Sequence, residues 1–258
     1  DSDSNKKSTL YTAKMCAILS RWLPEKIICC SHSAKETHIK IGYTRRKMEV
    51  IPNGFDLEKF TPDPEAKVSV YKELRISSST PLVGLVARFD PQKDHKNFIN
   101  AAALINAKLP SVSYLLCGND ITTQNDTLMS WIKQHGLAER FHLLGTRDDI
   151  PRLISSMDIA VSSSLGEGFP NVVGEAMACS VPCVVTDVGD SAKIVGKTGH
   201  VVPPRDSTAL ANAIIELLNM SLEQRQLLGR LSRQRVEEYF SLDNVVKQYE
   251  CAFRHAAI

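Results

Sequence analysis

The chain has 258 residues, 43% of them hydrophobic and 23% charged, which is enough for a sizeable core in one large domain or two small ones. Its 31 basic and 29 acidic side chains nearly cancel, which argues against a nucleic-acid-binding arm or a polybasic membrane surface. We expect no signal peptide, and the sequence shows no stretch of about 18 apolar residues that could span a membrane.

Short apolar runs of strand length recur along the chain. They lie at residues 26–31, 47–54, 81–87, 112–118, 140–145, 158–163, 182–187 and 199–204. Most of these runs lack a clean alternation of polar and apolar residues. This pattern is typical of parallel strands that are buried on both faces.

Helical patterns lie between and after these runs, at residues 33–43, 95–109, 126–136, 149–157, 171–179, 207–220, 222–240 and 243–257. Strand–helix alternation through the middle of the chain predicts an α/β fold with a doubly wound, parallel, Rossmann-like sheet. Right-handed crossovers then place every strand-to-helix loop at the carboxyl edge, where such sheets bind ligands.

The seven cysteines show no CxxC pair and no His–Cys spacing of the metal-binding kind, so we expect no metal site. Most of them lie in apolar runs, which predicts small buried side chains in a reducing cytosol.

The segment EGFPNVVGE, residues 167–175, places a carboxylate on each side of a loop that leads into a helix. Gly166 and Gly168 flank Glu167 and allow the backbone to approach a ligand closely. Pro170 suits the first position of the helix, and the unpaired N–H groups that follow attract an anion such as phosphate. Glu175 lies one helical turn after Asn171, where it can accept hydrogen bonds from a diol.

This arrangement predicts a nucleotide-sugar site, with a carboxylate for the sugar, a helix end for the diphosphate and a carboxylate for the ribose. Arg88 and Lys93, which follow the strand at 81–87, can supply cations for the diphosphate. We expect Glu167, Glu175, Arg88 and Lys93 to face one shared hollow.

EGFPNVVGE also resembles the Glu-x7-Glu signature of the retaining glycosyltransferases of family 4, which have the GT-B architecture. Neighbouring motifs are similar as well: IPNGFDLEKF (51–60), ARFDPQKDHKN (87–97) and GHVVPPRD (199–206). The resemblance runs from about Cys29 to near the C-terminus, and residues 158–189 are its most specific segment.

The resemblance implies a role for each matching residue. Arg88 and Lys93 would bind the donor diphosphate and stabilise the leaving group, Glu167 would bind the transferred sugar, and Glu175 would bind the ribose. The residues that would hold sugar and phosphates, largely through backbone N–H groups, are Gly168, Phe169, Pro170, Asn171 and Val172. The residues that would border the base are Gly145, Thr146 and Arg147.

The implied activity is transfer of a hexose from a UDP-sugar or GDP-sugar to a glycan or lipid-linked acceptor, with retention of configuration and without a metal or cofactor. The pathways typical of the family suggest a role in surface polysaccharide or lipopolysaccharide biosynthesis in the cytoplasm. The full-length protein could also associate with the inner face of the membrane. No nucleic-acid partner is expected.

Family members have two Rossmann-like domains with the active site between them. Residues 1–51 resemble the end of the N-terminal, acceptor-binding domain, and residues 52–258 resemble the complete donor-binding domain with its C-terminal helices. The chain is therefore expected to be a fragment that binds donor and could lack transfer activity alone. The last helix, 243–257, is expected to cross back towards the incomplete domain and to leave apolar surface exposed.

Two alternatives stay open beside a transferase. One is a non-catalytic nucleotide-sugar-binding module, and the other is a different enzyme on a Rossmann-like sheet. A nicotinamide dehydrogenase is disfavoured because no strand is followed by GxGxxG with an acid about 20 residues later. A sugar-nucleotide epimerase shares the architecture, but the Glu-x7-Glu loop and the IPNG segment favour a transferase.

Overall fold

The computed structural model describes residues 2–256, with side chains described for residues 8–254. Within that range the strands are β1 (Ile27–Cys29), β2 (Met48–Val50), β3 (Leu82–Val86), β4 (Ser113–Cys117), β5 (Phe141–Leu143), β6 (Ile159–Ser162), β7 (Cys183–Thr186) and β8 (His200–Val202). Each predicted apolar run thus contains a strand.

The helices are α1 (Ser2–Leu19), α2 (His32–Ile41), α3 (Ala66–Leu74), α4 (His95–Lys108), α5 (Asp126–Gln134), α6 (Ile150–Ser155), α7 (Asn171–Ala178), α8 (Ser191–Val195), α9 (Ser207–Asn219), α10 (Leu222–Tyr239) and α11 (Leu242–Ala256). Every helical pattern named above contains a helix, although Ala257, the predicted last residue of the final one, lies outside the described residues. Helices α1, α3 and α8 were not among the predicted helical patterns; α3 and α8 are short and bury only three side chains each.

Six parallel strands form the main sheet in the order β5-β4-β3-β6-β7-β8. The chain moves outward from β3 through β4 to β5, returns to β6 on the other side of β3, and then continues through β7 to β8. The predicted doubly wound parallel sheet is confirmed. The order reverses at β3 and β6, so the crevice at their carboxyl ends is the place where a ligand is expected.

Both faces of this sheet are covered by apolar cores. Along β4, Tyr114 and Leu116 face the core that α4, α5 and α9 complete, whereas Leu115 and Cys117 face the core formed with α6, α7 and α10. Alternate residues point to opposite faces, so burial of both faces requires an uninterrupted apolar strand. The expectation of strands buried on both faces is confirmed.

Strands β1 and β2 pair in parallel and form a separate two-stranded sheet. Helix α11 packs beside it, because Val245 and Ala252 form a small core with Ile51. The chain crosses to this sheet where Phe55 exchanges backbone hydrogen bonds with Phe240 and Leu242. Apolar side chains of α11 are exposed, among them Val246 and Phe253, as expected.

Four of the seven cysteines are buried, and none of the seven forms a disulfide. The buried ones are Cys29, Cys117, Cys179 and Cys183. Cys30, which the apolar run 26–31 placed among the buried residues, is instead exposed, because β1 ends at Cys29.

Candidate functional site

The loops that follow β3 and β6 meet at the carboxyl edge of the sheet because those two strands are neighbours. The backbone N–H of Leu165 donates to the carbonyl of Gln92 at 2.7 Å. The hydroxyl of Ser163 donates to the carbonyls of Lys93 at 2.8 Å and Asp94 at 3.1 Å. These bonds join the two loops into one unit.

Local capping places Lys93 within that unit. A 3-10 turn, Pro91–Lys93, begins after Asp90, whose side chain accepts from the N–H of Gln92. Asp94 then adopts the left-handed conformation, with φ 46°, and its carboxylate caps α4 by accepting from the N–H of Asn97. Asp tolerates this conformation better than most residues do, so the sharp turn that aims Lys93 is encoded locally.

Lys93 and Glu167 form an ion pair in which Nζ lies 2.5 Å from Oε1. The same oxygen accepts from the hydroxyl of Ser164 at 2.7 Å. Only 22% of the lysine side chain and 12% of the glutamate side chain are exposed, so the pair is shielded much more than a surface salt bridge. Both residues line a small hollow beside Ser162 and Val172.

Arg88 lies at the rim and takes another partner. Its Nε and Nη2 both donate to Oδ2 of Asp90 at 3.1 Å, and its side chain is 61% exposed. The N–H of Gln92, and to a smaller extent Arg88, lower the pKa of Asp90 below its ordinary value. Arg88 does not line the hollow of Lys93 and Glu167.

Helix α7 begins at Asn171, as the helical pattern 171–179 predicts, but Pro170 is its N-cap and not its first helical residue, which corrects the position predicted for the proline. No side chain caps this end. Phe169 turns inward and stacks on Phe55 at 6.1 Å between ring centroids. Its side chain therefore has a structural partner, which agrees with a role for this loop through its backbone.

Glu175 faces a second space. It is half-buried, and burial raises the pKa of its carboxyl, while the nearby Lys59 opposes that shift. It lines an open groove of about 690 Å³ together with Asn53, Lys59 and Asn171, and the amide of Asn53 donates to Asn171 Oδ1 at 2.8 Å. Successive residues at the start of α7 thus face different spaces, because Val172 borders the hollow and Asn171 borders the groove.

The four side chains that were expected to share one hollow are therefore not all together. The structure unites Lys93 with Glu167, and it places Arg88 at the rim and Glu175 in the groove. Sequence reasoning missed Ser163 and Ser164, whose signal was the serine run before the loop. It also missed Asn53 and Lys59, although both lie in the motif IPNGFDLEKF.

The segment Gly145–Arg147 follows β5 at the same edge of the sheet. Gly145 has φ 63° and its carbonyl accepts from the N–H of Gly118, at the end of β4. The guanidinium of Arg147 is bound to Asp149 at 2.8 Å and to Glu73 at 2.7 Å, and Thr146 is exposed. The hydrogen bond from Arg147 lowers the pKa of Asp149 to about 2. With its side chain so engaged, this segment is suited to backbone contacts.

Within residues 2–256 no helix has the length and apolar character needed to cross a membrane. The same part of the chain shows no group of three His, Cys, Asp or Glu side chains arranged to hold a metal ion.

Comparison with known proteins matches the chain to one family of enzymes. The family model described as "Glycosyl transferases group 1" matches residues 80–220, more than half of the chain. That span includes Arg88, Lys93 and both glutamates of the loop. The UDP-Gal:alpha-D-GlcNAc-diphosphoundecaprenol alpha-1,3-galactosyltransferase of Escherichia coli is 28% identical over 252 residues, which are 96% of this chain and 64% of that protein. The chain thus spans less than two thirds of this relative.

Two crystal structures share the fold. Alr3699/HepE of Anabaena, in complex with UDP and glucose, superposes with a TM-score of 0.86 at 24% identity, over 95% of this chain and 67% of that one. The C-terminal domain of a group 1 family glycosyl transferase, LpcC of Francisella tularensis, is matched over its entire length and 73% of this chain, with a TM-score of 0.65 at 24% identity.

Proposed function

This chain belongs to the group 1 glycosyl transferases, and from that premise we propose that it binds a UDP-sugar where β3 and β6 meet and presents the sugar for retaining transfer. The observation that carries the proposal is the Lys93–Glu167 pair beside the uncapped start of α7. A cation, a helix end that attracts anions and a carboxylate for hydroxyl groups lie in one place.

The ion pair defines the first step of binding. Lys93 can exchange Glu167 for a diphosphate oxygen, which frees the carboxylate to accept from hydroxyls of the sugar. Arg88 is exposed and can likewise exchange Asp90 for the diphosphate, where its fork of donors suits phosphate oxygens. Glu175 and Asn53 border the adjoining groove, which we assign to the ribose. The backbone of Gly145–Arg147 would border the uracil.

The chemistry that follows needs no metal in this proposal. The bond between the anomeric carbon and the diphosphate oxygen breaks, and Lys93 and Arg88 stabilise the charge that develops on that oxygen. The acceptor hydroxyl attacks from the same face, and its proton passes to the departing diphosphate. Attack and departure on one face retain the anomeric configuration.

The names of similar proteins support the choice of donor and acceptor. The Escherichia coli relative is named for UDP-Gal and for a diphosphoundecaprenol acceptor, and the Anabaena structure contains UDP and glucose. We therefore favour UDP over GDP, and a glycan or lipid-linked acceptor. Work in surface polysaccharide or lipopolysaccharide assembly, on the cytoplasmic side and in peripheral contact with the inner membrane, is part of the same proposal.

A second candidate is donor binding without transfer. It is favoured by one observation, that the chain spans 64% of the Escherichia coli relative. In the two-domain arrangement that the resemblance implies, acceptor contacts would come from a further domain.

Calorimetry with UDP, GDP and UDP-glucose tests the binding step. We expect UDP to bind the chain and Lys93→Ala to weaken that binding, with a smaller or no response to GDP. Absence of binding by every one of these ligands at millimolar concentration would contradict the proposal. Incubation of UDP-glucose with a lipid-linked acceptor, with the anomeric signal of the product read by NMR, separates transfer with retention from binding alone.

A further inference from the structure

A buried carboxylate lies at the junction between α2 and the loop that contains Glu167. Asp190 follows β7 and has only 4% of its surface exposed. Its Oδ2 accepts from the backbone N–H of His32 at 2.7 Å, and its Oδ1 accepts from the N–H of Ser33 at 3.1 Å. Both amides belong to the first turn of α2, where N–H groups have no partner within the helix.

These contacts complete the N-terminus of α2. Ser31 caps the helix by accepting from the N–H of Ala34 at 3.0 Å, and Asp190 accepts from the two amides before it. A carboxylate is also favoured at this positive end of a helix, and hydrogen bonds to an ionised acceptor are stronger than neutral ones. Helix α2 precedes the main sheet in the chain, and Asp190 therefore fixes it to the loop between β7 and α8.

The contacts between α2 and the β7–α8 loop also hold the backbone next to Glu167. The carbonyl of Gly168 accepts from the N–H of Asp190 at 3.0 Å and from the hydroxyl of Ser33 at 3.4 Å. Gly189 has φ 59° and packs so tightly that a Cβ there would lie 2.4 Å from the carbonyl oxygen of Glu167. Gly168 thus lies between α2 and the β7–α8 loop.

We propose that Asp190 is a positioning residue for the sugar-binding loop. It holds the first turn of α2 against Gly168, and so fixes the backbone of Glu167 where Lys93 and Ser164 meet its carboxylate. A loop with glycine on both sides of Glu167 has little stiffness of its own, so this external support sets its position. The inference rests on the proposed function for its ligand, and it makes the placement of α2 part of donor recognition.

The test compares Asp190→Ala and Asp190→Asn with Asp126→Asn, which removes an exposed carboxylate from the first turn of α5. The ratio of UDP-glucose affinity to UDP affinity is measured by calorimetry, and amide hydrogen exchange is followed in residues 26–41 and 165–170. Asp190→Ala should lower the ratio about tenfold, because the sugar contact through Glu167 is lost while the nucleotide contacts remain. Asp190→Asn keeps one side-chain oxygen that can accept a hydrogen bond, so its affinity ratio should lie between those of Asp190→Ala and the unaltered chain. Exchange should quicken in both segments for Asp190→Ala, and Asp126→Asn should match the unaltered chain.

An unchanged ratio with unchanged exchange at 165–170 would overturn the inference. Equal losses for UDP and UDP-glucose would also overturn it, because they would indicate general damage. If the unaltered chain binds neither ligand, the proposed function fails, while the exchange comparison still decides whether Asp190 supports the loop. Should Asp190→Ala fail to fold, Ser33→Ala serves for both measurements, because it removes the hydroxyl that donates to the carbonyl of Gly168 and that also pairs with Ser31 Oγ at 3.2 Å.

Discussion

Lys93 and Glu167 are 74 positions apart in the sequence, yet Nζ of the lysine lies 2.5 Å from Oε1 of the glutamate. The contact exists because β3 and β6 are neighbours in the sheet although β4 and β5 separate them along the chain. The two charges neutralise each other where both side chains are mostly shielded from solvent, and in the proposed function each partner exchanges the other for a group of the donor.

Lys93→Ala should weaken UDP binding by about 1.5–3 kcal/mol, the range for a lost hydrogen bond to a charged group. The lysine lines the same hollow as Val172 near the start of α7, so in the proposed function its removal leaves the diphosphate without that partner. Calorimetry at constant ionic strength measures the change. Lys96→Ala, which removes an exposed lysine from the first turn of α4, is the matched control and should have little effect. Equal affinities of Lys93→Ala and the unaltered chain would show that Lys93 does not contact the diphosphate.

Glu175→Gln should stabilise the fold at neutral pH while weakening UDP binding. Burial raises the pKa of Glu175 in the folded chain, so the ionised form is disfavoured by folding. The folded state therefore binds more protons at Glu175 than the unfolded state does. The stability that this residue contributes is lost as the pH rises from the ordinary pKa of 4.5 through the raised pKa of the folded chain. Urea unfolding should therefore show an advantage of the variant at pH 7 that disappears below the ordinary pKa of 4.5.

The contribution of Glu175 to UDP binding is measured separately from its effect on stability. Glu175→Ala should cost about 1–3 kcal/mol of UDP binding, as for a lost partner of a partly shielded polar group. Glu216→Ala, an exposed glutamate on α9, is the control for removal of a carboxylate. If Glu175 were only a solvated helix residue, neither stability nor affinity would respond.

Gly174→Ala should destabilise the chain by about 1–3 kcal/mol, the usual cost of overpacking. A Cβ at this position would lie 2.1 Å from the ring of Phe55, which in turn stacks on Phe169 of the loop. Thermal and urea unfolding measure the change. Gly166→Ala meets no atom within 4 Å and should change stability by less than about 0.5 kcal/mol. Similar stability of the two variants would contradict the packing described for Phe55.

Asp149→Asn should lower stability at pH 7 by about 1 kcal/mol, a figure reduced for the partial exposure of this ion cluster. The pKa of Asp149 is depressed to about 2 by Arg147, so its contribution is complete above the ordinary value and is lost as the pH falls towards 2. Urea unfolding at pH 7 and at pH 2 should show the difference shrinking at the lower pH. Asp148→Asn, an exposed neighbour, should behave like the unaltered chain at both pH values.

Most of the architecture could be predicted from the sequence because its signals are local. Eight apolar runs of strand length each produced a strand, and the alternation with helices predicted the parallel sheet. Helices α3 and α8 were not predicted because each buries only a few side chains, such as Val70 and Tyr71 in α3, and these give too weak a periodic signal.

The site was predicted only in part, for a reason visible at α7. Spacing places Asn171 and Glu175 on one face, and both do face the same groove. Spacing cannot tell which space that face meets, and the hollow of Lys93 and Glu167 meets Val172 instead. The junction at Asp190 had no local signal, because its partners at His32 and Ser33 are more than 150 positions away in the chain.

By itself, then, the sequence determined the order of the strands, most of the helices and the residues at the carboxyl edge of the sheet, because hydrophobic periodicity and capping act over one or two turns of chain. The tertiary structure alone decided which of those residues meet. Strand order brings Lys93 to Glu167, the rotation of α7 about its axis directs Glu175 into the groove, and the docking of α2 onto Asp190 supports the loop that contains Glu167. All three arrangements depend on packing between distant segments of the chain.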